Sequence, residues 1–259
     1  QFLRATLEPL RAIWPKGVPI VLCCKGIEQG SGMLMSEVAT DVLGDKAPIA
    51  VLSGPTFAAE VARGLPTAVT VAMEDFAAAE ALSEALAAPT FRTYAADDVI
   101  GAEVGGAVKN VLAIGCGIVE GHGLGDNARA ALITRGVAEI ARLSQDLGGR
   151  PETLLGLCGM GDITLTCNAM QSRNFSLGHA LGRGRKLADV LAERVTVAEG
   201  VSTAASVSAL ADKRGIDMPI AKAVDAILHK NAGIEFCIQS LLNRPLKPEI
   251  IADPDIMAG

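Results

Sequence analysis

Aromatic side chains are scarce: one Trp, one Tyr and six Phe among 259 residues, 3% in all. Half of the residues are hydrophobic, so a sizeable core must be assembled from Ala, Val, Leu and Ile, as in helix-rich α/β enzymes. Histidine is equally sparse, at three, and the six cysteines (Cys23, Cys24, Cys116, Cys158, Cys167, Cys237) include no Cys-x-x-Cys pair. Zinc sites and disulfide frameworks draw on those patterns, so no metal is expected and the thiols are read as reduced and cytoplasmic. A net charge of −6 gives no basic face for nucleic acid, although a local basic cluster can still hold a small anion. No basic segment followed by an apolar one marks a signal peptide. The most apolar stretch, Val104 to Val119, is short for a membrane span and carries Lys109 and Asn110. A buried helix of a water-soluble fold is expected instead.

Two nucleotide signatures are missing. There is no Gly-Lys dipeptide, hence no P-loop, and no Gly-x-Gly-x-x-Gly behind an apolar strand. Gly123-Leu-Gly125-Asp-Asn-Ala128 fits a looser form but follows a helical pattern, and the strand-turn-helix context is what gives the motif its meaning.

What is there falls into two patterns. The chain opens in an amphipathic helix over 1–10. Apolar runs at 18–24, 49–52, 68–72 and 91–94 read as strands, separated by helical segments near 33–43, 57–63 and 75–88. That alternation predicts part of an α/β sheet. From about residue 97 nearly everything has helical period, over 98–120, 126–147, 151–157, 172–183, 187–193, 200–214, 219–231 and 234–243. Asp126 is a candidate cap, Gly148 and Gly215 sit just past two helix ends, and Pro151 and Pro219 open two others. The predicted division is an α/β unit over 1–97 and an all-helical unit over 98–259, with a loose Pro-rich tail from Pro245.

Within the apolar helix, Lys109 stands out. A helix apolar all round is buried, and burial lowers the pKa of an unpaired lysine, which suits proton transfer near neutral pH. The alternatives are a lysine reaching to the surface, or one in a structural ion pair with Glu103 or Asp162. The glycine-rich turn Gly156-Leu-Cys-Gly-Met-Gly161 delivers Asp162 to a helix start, as an active-site carboxylate or a plain cap. Gln171-Ser172-Arg173-Asn174 places an arginine and backbone N–H groups at a helix N-terminus, a ready anion site or a solvated turn. Lys25 and Ser53-Gly54-Pro55-Thr56 lie just past strand ends, where ligands gather in open α/β sheets. Together these residues suit an anionic substrate and a proton shuttle.

Those segments, with Ala58, Glu103-Val-Gly-Gly-Ala-Val-Lys-Asn110, Gly121-His-Gly-Leu-Gly-Asp-Asn127, Thr166 and Glu199-Gly200, closely resemble the bacterial NAD(P)-dependent glycerol-3-phosphate dehydrogenases, in order and through nearly the whole chain. The resemblance implies a Rossmann-type domain followed by an all-helical one, and reversible hydride transfer between sn-glycerol 3-phosphate and dihydroxyacetone phosphate for phospholipid synthesis. It implies NAD or NADP as cofactor, the preference being left open, and a small-molecule substrate as the partner. By motif, Lys109 resembles the proton acceptor, Lys25 the lysine touching cofactor and substrate, and Asp162 the substrate-site aspartate. Gly54, Thr56 and Thr166 resemble substrate contacts, and Ser172, Arg173 and Asn174 the phosphate turn, with Arg173 also reaching the cofactor. Ala58, Val197 and Glu199 resemble cofactor contacts. The family's opening strand and glycine turn have no counterpart here. The reading is therefore a chain lacking the front of the Rossmann domain, which would bind NAD(P) poorly. A homodimer is expected from so apolar a helical unit. Two other readings stay open: a related dehydrogenase with a similar helical domain, and a catalytically silent fragment that binds phosphate esters.

Overall fold

The structure is a computed structural model and describes residues 2–194, 196–246 and 248. Helix α1 (Leu3–Leu7) runs into a short 3₁₀ turn, then strand β1 (Ile20–Leu22), helix α2 (Met35–Leu43), strand β2 (Ile49–Ser53), helix α3 (Ala58–Ala62), strand β3 (Thr67–Ala72), helix α4 (Phe76–Leu86) and strand β4 (Phe91–Ala96). The four strands form one sheet in sequence order. β1 and β2 are parallel, as are β3 and β4, but β2 and β3 are antiparallel. The strand-helix alternation did not reveal that reversal. Its cause is the length of α3: five residues rise only about 7.5 Å, too little to carry the chain back along a strand. β3 therefore starts at the end where β2 stops.

Helix α5 (Val99–His122) is the axis of the rest. Around it lie α6 (Asp126–Asp146), α7 (Asp162–Thr166), α8 (Arg173–Gly182), α9 (Leu187–Ala192), α10 (Glu199–Arg214), α11 (Pro219–His229) and α12 (Ile234–Leu242). Every residue from Gly101 to Val119 is buried. The whole of α5, at 24 residues, is by length and composition long and apolar enough to cross a membrane, although the apolar run at 104–119 within it is short for a span. Its enclosure by the surrounding helices makes it the core helix, as expected.

The tightest packing is α5 on α8. Gly117 and Gly121 of α5 face Gly178 and Gly182 of α8, each pair spaced by four. A Cβ on Gly178 would overlap the Ile114 carbonyl, and one on Gly117 the Phe175 carbonyl. The two backbones therefore touch, and no side chain separates them. Buried acids fix the helix ends. Asp98 caps α5 by accepting from Gly101 N–H (2.8 Å) and also takes Arg150 N–H (2.9 Å) and the Thr153 hydroxyl (2.5 Å). Glu139 accepts from Ile220 and Ala221 N–H (2.7 and 3.1 Å), two of the orphan donors of α11.

Two local expectations fail. Gly125, with φ +87°, caps α6; Asp126 lies inside its first turn and pairs with Arg129. Residues 151–157 form no α-helix: a 3₁₀ turn (Pro151–Leu155) is followed by a π turn (Leu157–Gly161), because glycines at 156, 159 and 161 break the i→i−4 pattern. Most of the tail from Pro245 lies outside the described residues.

Candidate active site

A cleft of about 1100 Å³ opens between the carboxyl ends of β1 and β2 and the helices α5, α7, α8 and α10. It is large enough for a ligand bigger than a triose phosphate. The floor comes from α5 and α7. Lys109 is 8% exposed and donates through Nζ to Asp162 Oδ1 and to Thr166 Oγ1 (3.1 Å). Asp162 and Thr166 stand four residues apart on α7, so they share a face, and the Thr166 hydroxyl donates back to Asp162 Oδ1 (3.3 Å). Of the two carboxylates proposed as structural partners for Lys109, Asp162 takes it. Glu103 instead accepts from Ser36, at N–H (2.8 Å) and at the hydroxyl. Asp162 is 1% exposed, and its Oδ2 has no hydrogen-bond partner among the described residues. A buried carboxylate oxygen without a donor is costly, and a hydroxyl-bearing ligand at the floor relieves it.

The sheet supplies the second cation. Lys25 follows β1 and folds back over Ser53, the last residue of β2, donating to Ser53 Oγ (2.5 Å) and Leu52 O (3.4 Å). It lies on bare backbone: a Cβ on Gly106 would come within 2.9 Å of Lys25 Cδ and 3.0 Å of Nζ. Gly106 precedes Lys109 by three residues, so Lys25 rests on the same face of α5. Burial lowers its pKa to about 8; the Asp162 charge opposes that shift and the Lys109 charge reinforces it.

The rim is the turn before α8. Ser172 caps the helix, its Oγ accepting from Phe175 N–H (3.2 Å). Arg173 projects to an ion pair with Glu199. Asn174 is buried, and its Oδ1 accepts from Gly200 N–H (2.9 Å), which ties α8 to the first turn of α10. On the sheet side, the Thr56 hydroxyl donates to Gly54 O (3.1 Å), and Gly54 packs so closely that a Cβ would fall 2.9 Å from Val69 Cα. Ala58 opens α3, and Val197, 60% exposed, sits on the approach to α10. All twelve residues singled out from sequence line this one cleft.

Comparison with known proteins identifies the family. The family model for the N-terminus of NAD-dependent glycerol-3-phosphate dehydrogenase matches residues 1–79, and the model for its C-terminus matches 98–239. The chain belongs to the NAD-dependent glycerol-3-phosphate dehydrogenase family. The protein from Rhodospirillum rubrum named glycerol-3-phosphate dehydrogenase [NAD(P)+] is 62% identical over 249 residues, 96% of this chain and 71% of that protein. The one of the same name from Caulobacter vibrioides is 59% identical, over 96% of this chain and 75% of that one. The crystal structure of glycerol-3-phosphate dehydrogenase from Coxiella burnetii superposes with a TM-score of 0.89 at 42% identity, covering 94% of this chain and 74% of that one.

A family member needs room for a nicotinamide dinucleotide. The reacting end fits: the cleft extends past Lys25 along Gly54 to Ala58, and its other side carries Arg173, Val197 and Glu199. Among the described residues no glycine turn behind a strand is available for a pyrophosphate, since β1 is followed by Cys23-Cys24-Lys25-Gly26.

Ser53 and Asn110 also line the cleft without a role assigned from the sequence, and Gly106, outside the lining, lets Lys25 reach it. Ser53 had a usable signal, being the last residue of an apolar strand. Gly106 had none, because its function is to accept a side chain 81 residues away. Among the described residues no group of three or more His, Cys, Asp or Glu is placed to hold a metal ion.

Proposed function

We propose that the chain interconverts sn-glycerol 3-phosphate and dihydroxyacetone phosphate with NAD or NADP, its floor moving the proton and its rim holding the phosphate. The observation that carries this reading is that half-buried Lys25, the buried Lys109–Asp162 pair and Arg173 all line one cleft. When bound, the nicotinamide supplies the hydride acceptor or donor. In the reduction direction Lys109 Nζ, held by Asp162 and Thr166, gives a proton to the oxygen on carbon 2; in oxidation it takes that proton back. Lys25 stabilises negative charge on the same oxygen. Asp162 Oδ2 accepts from a substrate hydroxyl. The N–H groups of the 172–174 turn and the Arg173 guanidinium grip the phosphate, which fixes the reacting carbon over Lys109. Gly54 and Thr56 line the substrate side, while Ala58, Val197 and Glu199 line the cofactor side.

The division near residue 97 belongs to this proposal, with the cofactor carried by the first unit and the substrate completed by the second. So do a cytoplasmic location, a role in phospholipid synthesis and a homodimer. The test is Arg173→Ala. Affinity for dihydroxyacetone phosphate should fall about ten-fold to a hundred-fold, the range for a charge-assisted contact, as measured by calorimetry. Unchanged affinity removes the phosphate turn from the mechanism.

A further inference from the structure

We infer that Arg194 is a positioning residue for the phosphate turn, an inference that rests on the functional reading above. Arg194 stands in the connection between α9 and α10 and reaches back to the first turn of α8. Its Nη1 donates to the Arg173 carbonyl (2.7 Å) and its Nη2 to Ser176 Oγ (3.0 Å), while the Ser176 hydroxyl donates to that same carbonyl (3.2 Å). One guanidinium thus pins the backbone of the very residue whose side chain faces the cleft. It does so from the segment that carries Val197 and Glu199 into the cleft.

The charge environment points the same way. Among the described residues Arg194 makes no ion pair; the neighbouring acid Glu193 is taken by Arg185. Partial burial and the like charge of Arg185 both disfavour the charged form of Arg194. A half-desolvated, uncompensated cation beside a helix N-terminus raises the positive potential where an anion docks. Arg194 is absent from the cleft lining, so it acts through Arg173 and through its field.

The experiment is calorimetric titration of the chain with sn-glycerol 3-phosphate, inorganic phosphate and glycerol. The proteins compared are wild type, Arg173→Ala, Arg194→Ala and Arg194→Lys, each with its ligand-free thermal midpoint. Arg194→Ala should weaken both phosphate-bearing ligands about ten-fold, the value of one to two charged hydrogen bonds, without changing the response to glycerol. Arg194→Lys should recover part of the loss, because it restores the charge but not the two-pronged grip. Wild-type affinity in Arg194→Ala overturns the inference while leaving the phosphate turn intact. A loss that Arg194→Lys does not reduce, accompanied by a fall in the thermal midpoint, also overturns it by reducing Arg194 to a fold-stabilising residue. If wild type does not bind sn-glycerol 3-phosphate, or Arg173→Ala binds it normally, the functional reading itself falls and the inference with it.

Discussion

The two walls of the cleft each present a lysine, half-buried Lys25 on one and buried Lys109 on the other, and hold it differently. On the sheet wall, Lys25 rests on neutral partners, a hydroxyl and a carbonyl. Among the described residues no carboxylate shares its hydrogen bonds, and its pKa falls to about 8. On the helical wall, Lys109 is bonded to a carboxylate that is 1% exposed. One wall therefore presents a lysine with neutral partners and a lowered pKa, and the other a lysine hydrogen-bonded to a carboxylate. Identical side chains can thus divide the labour of a proton-transfer site through their neighbours alone.

Removing each lysine is the strongest way to break that comparison. In the active enzyme, Lys109→Ala should lower kcat about 100-fold or more, the scale of general acid–base catalysis. Near-normal turnover would end its assignment. Lys25→Met should also slow turnover, but with a second signature. If charged Lys25 supports the reaction, wild-type activity declines above pH 8 as that charge is lost, and the decline disappears in Lys25→Met. An unchanged alkaline limb in the variant would place the titrating group elsewhere.

The helical wall holds Lys109 rigidly because α5 is clamped to α8 by backbone contact at Gly117, Gly121, Gly178 and Gly182. Gly178→Ala forces the Ile114 carbonyl away and should destabilise the fold by about 1–3 kcal/mol. In a chain of this size that lowers the thermal midpoint by roughly 5 °C. Turnover should fall along with it, since α5 carries Lys109 and α8 carries Arg173. A variant with an unchanged midpoint would show that the helices can separate freely.

Much of this was legible locally. The burial of α5 followed from its apolar surface, the C-terminal ends of α6 and α10 from Gly148 and Gly215, and the start of α11 from Pro219. The twelve residues to which the family motifs assign site roles all reach one cleft. What was hidden depends on contacts between distant residues. The direction of β3 follows from how far α3 can carry the chain, not from β3's own pattern. Gly106 reads as a packing glycine until Lys25 is laid across it. Arg194 reads as a solvated charge until the α9–α10 connection folds onto α8. The lowered pKa of Lys25 follows from burial beneath a helix that begins more than 70 residues later in the chain.

The last contrast between the walls is the smallest in energy and concerns the sign of their pH dependence. Burial raises the pKa of Glu103 and Glu139, both on the helical side, to about 7 from the ordinary 4.5. Between pH 4.5 and 7 the folded chain keeps protons that the unfolded chain has released, so these two groups make stability fall as pH rises. Lys25 acts in the opposite sense and in another window. Between pH 8 and 10.5 the unfolded chain holds a proton that the folded chain has lost, so stability rises with pH, and the burial penalty is fully present below pH 8. Each contribution should be on the order of 1 kcal/mol or more. The exposed ion pairs that lower the pKa values of Glu28 and Asp97 act below pH 4.5, outside both windows. Urea midpoints of wild type minus Glu139→Gln, taken from pH 4.5 to 7, isolate the first slope. The glutamine cannot ionise and still accepts from one of the two α11 N–H groups, so the fall should flatten. Wild type minus Lys25→Met, from pH 8 to 10.5, isolates the second slope. Two differences of the same sign would mean that the walls do not bury their charges in the opposed way the hydrogen bonds describe.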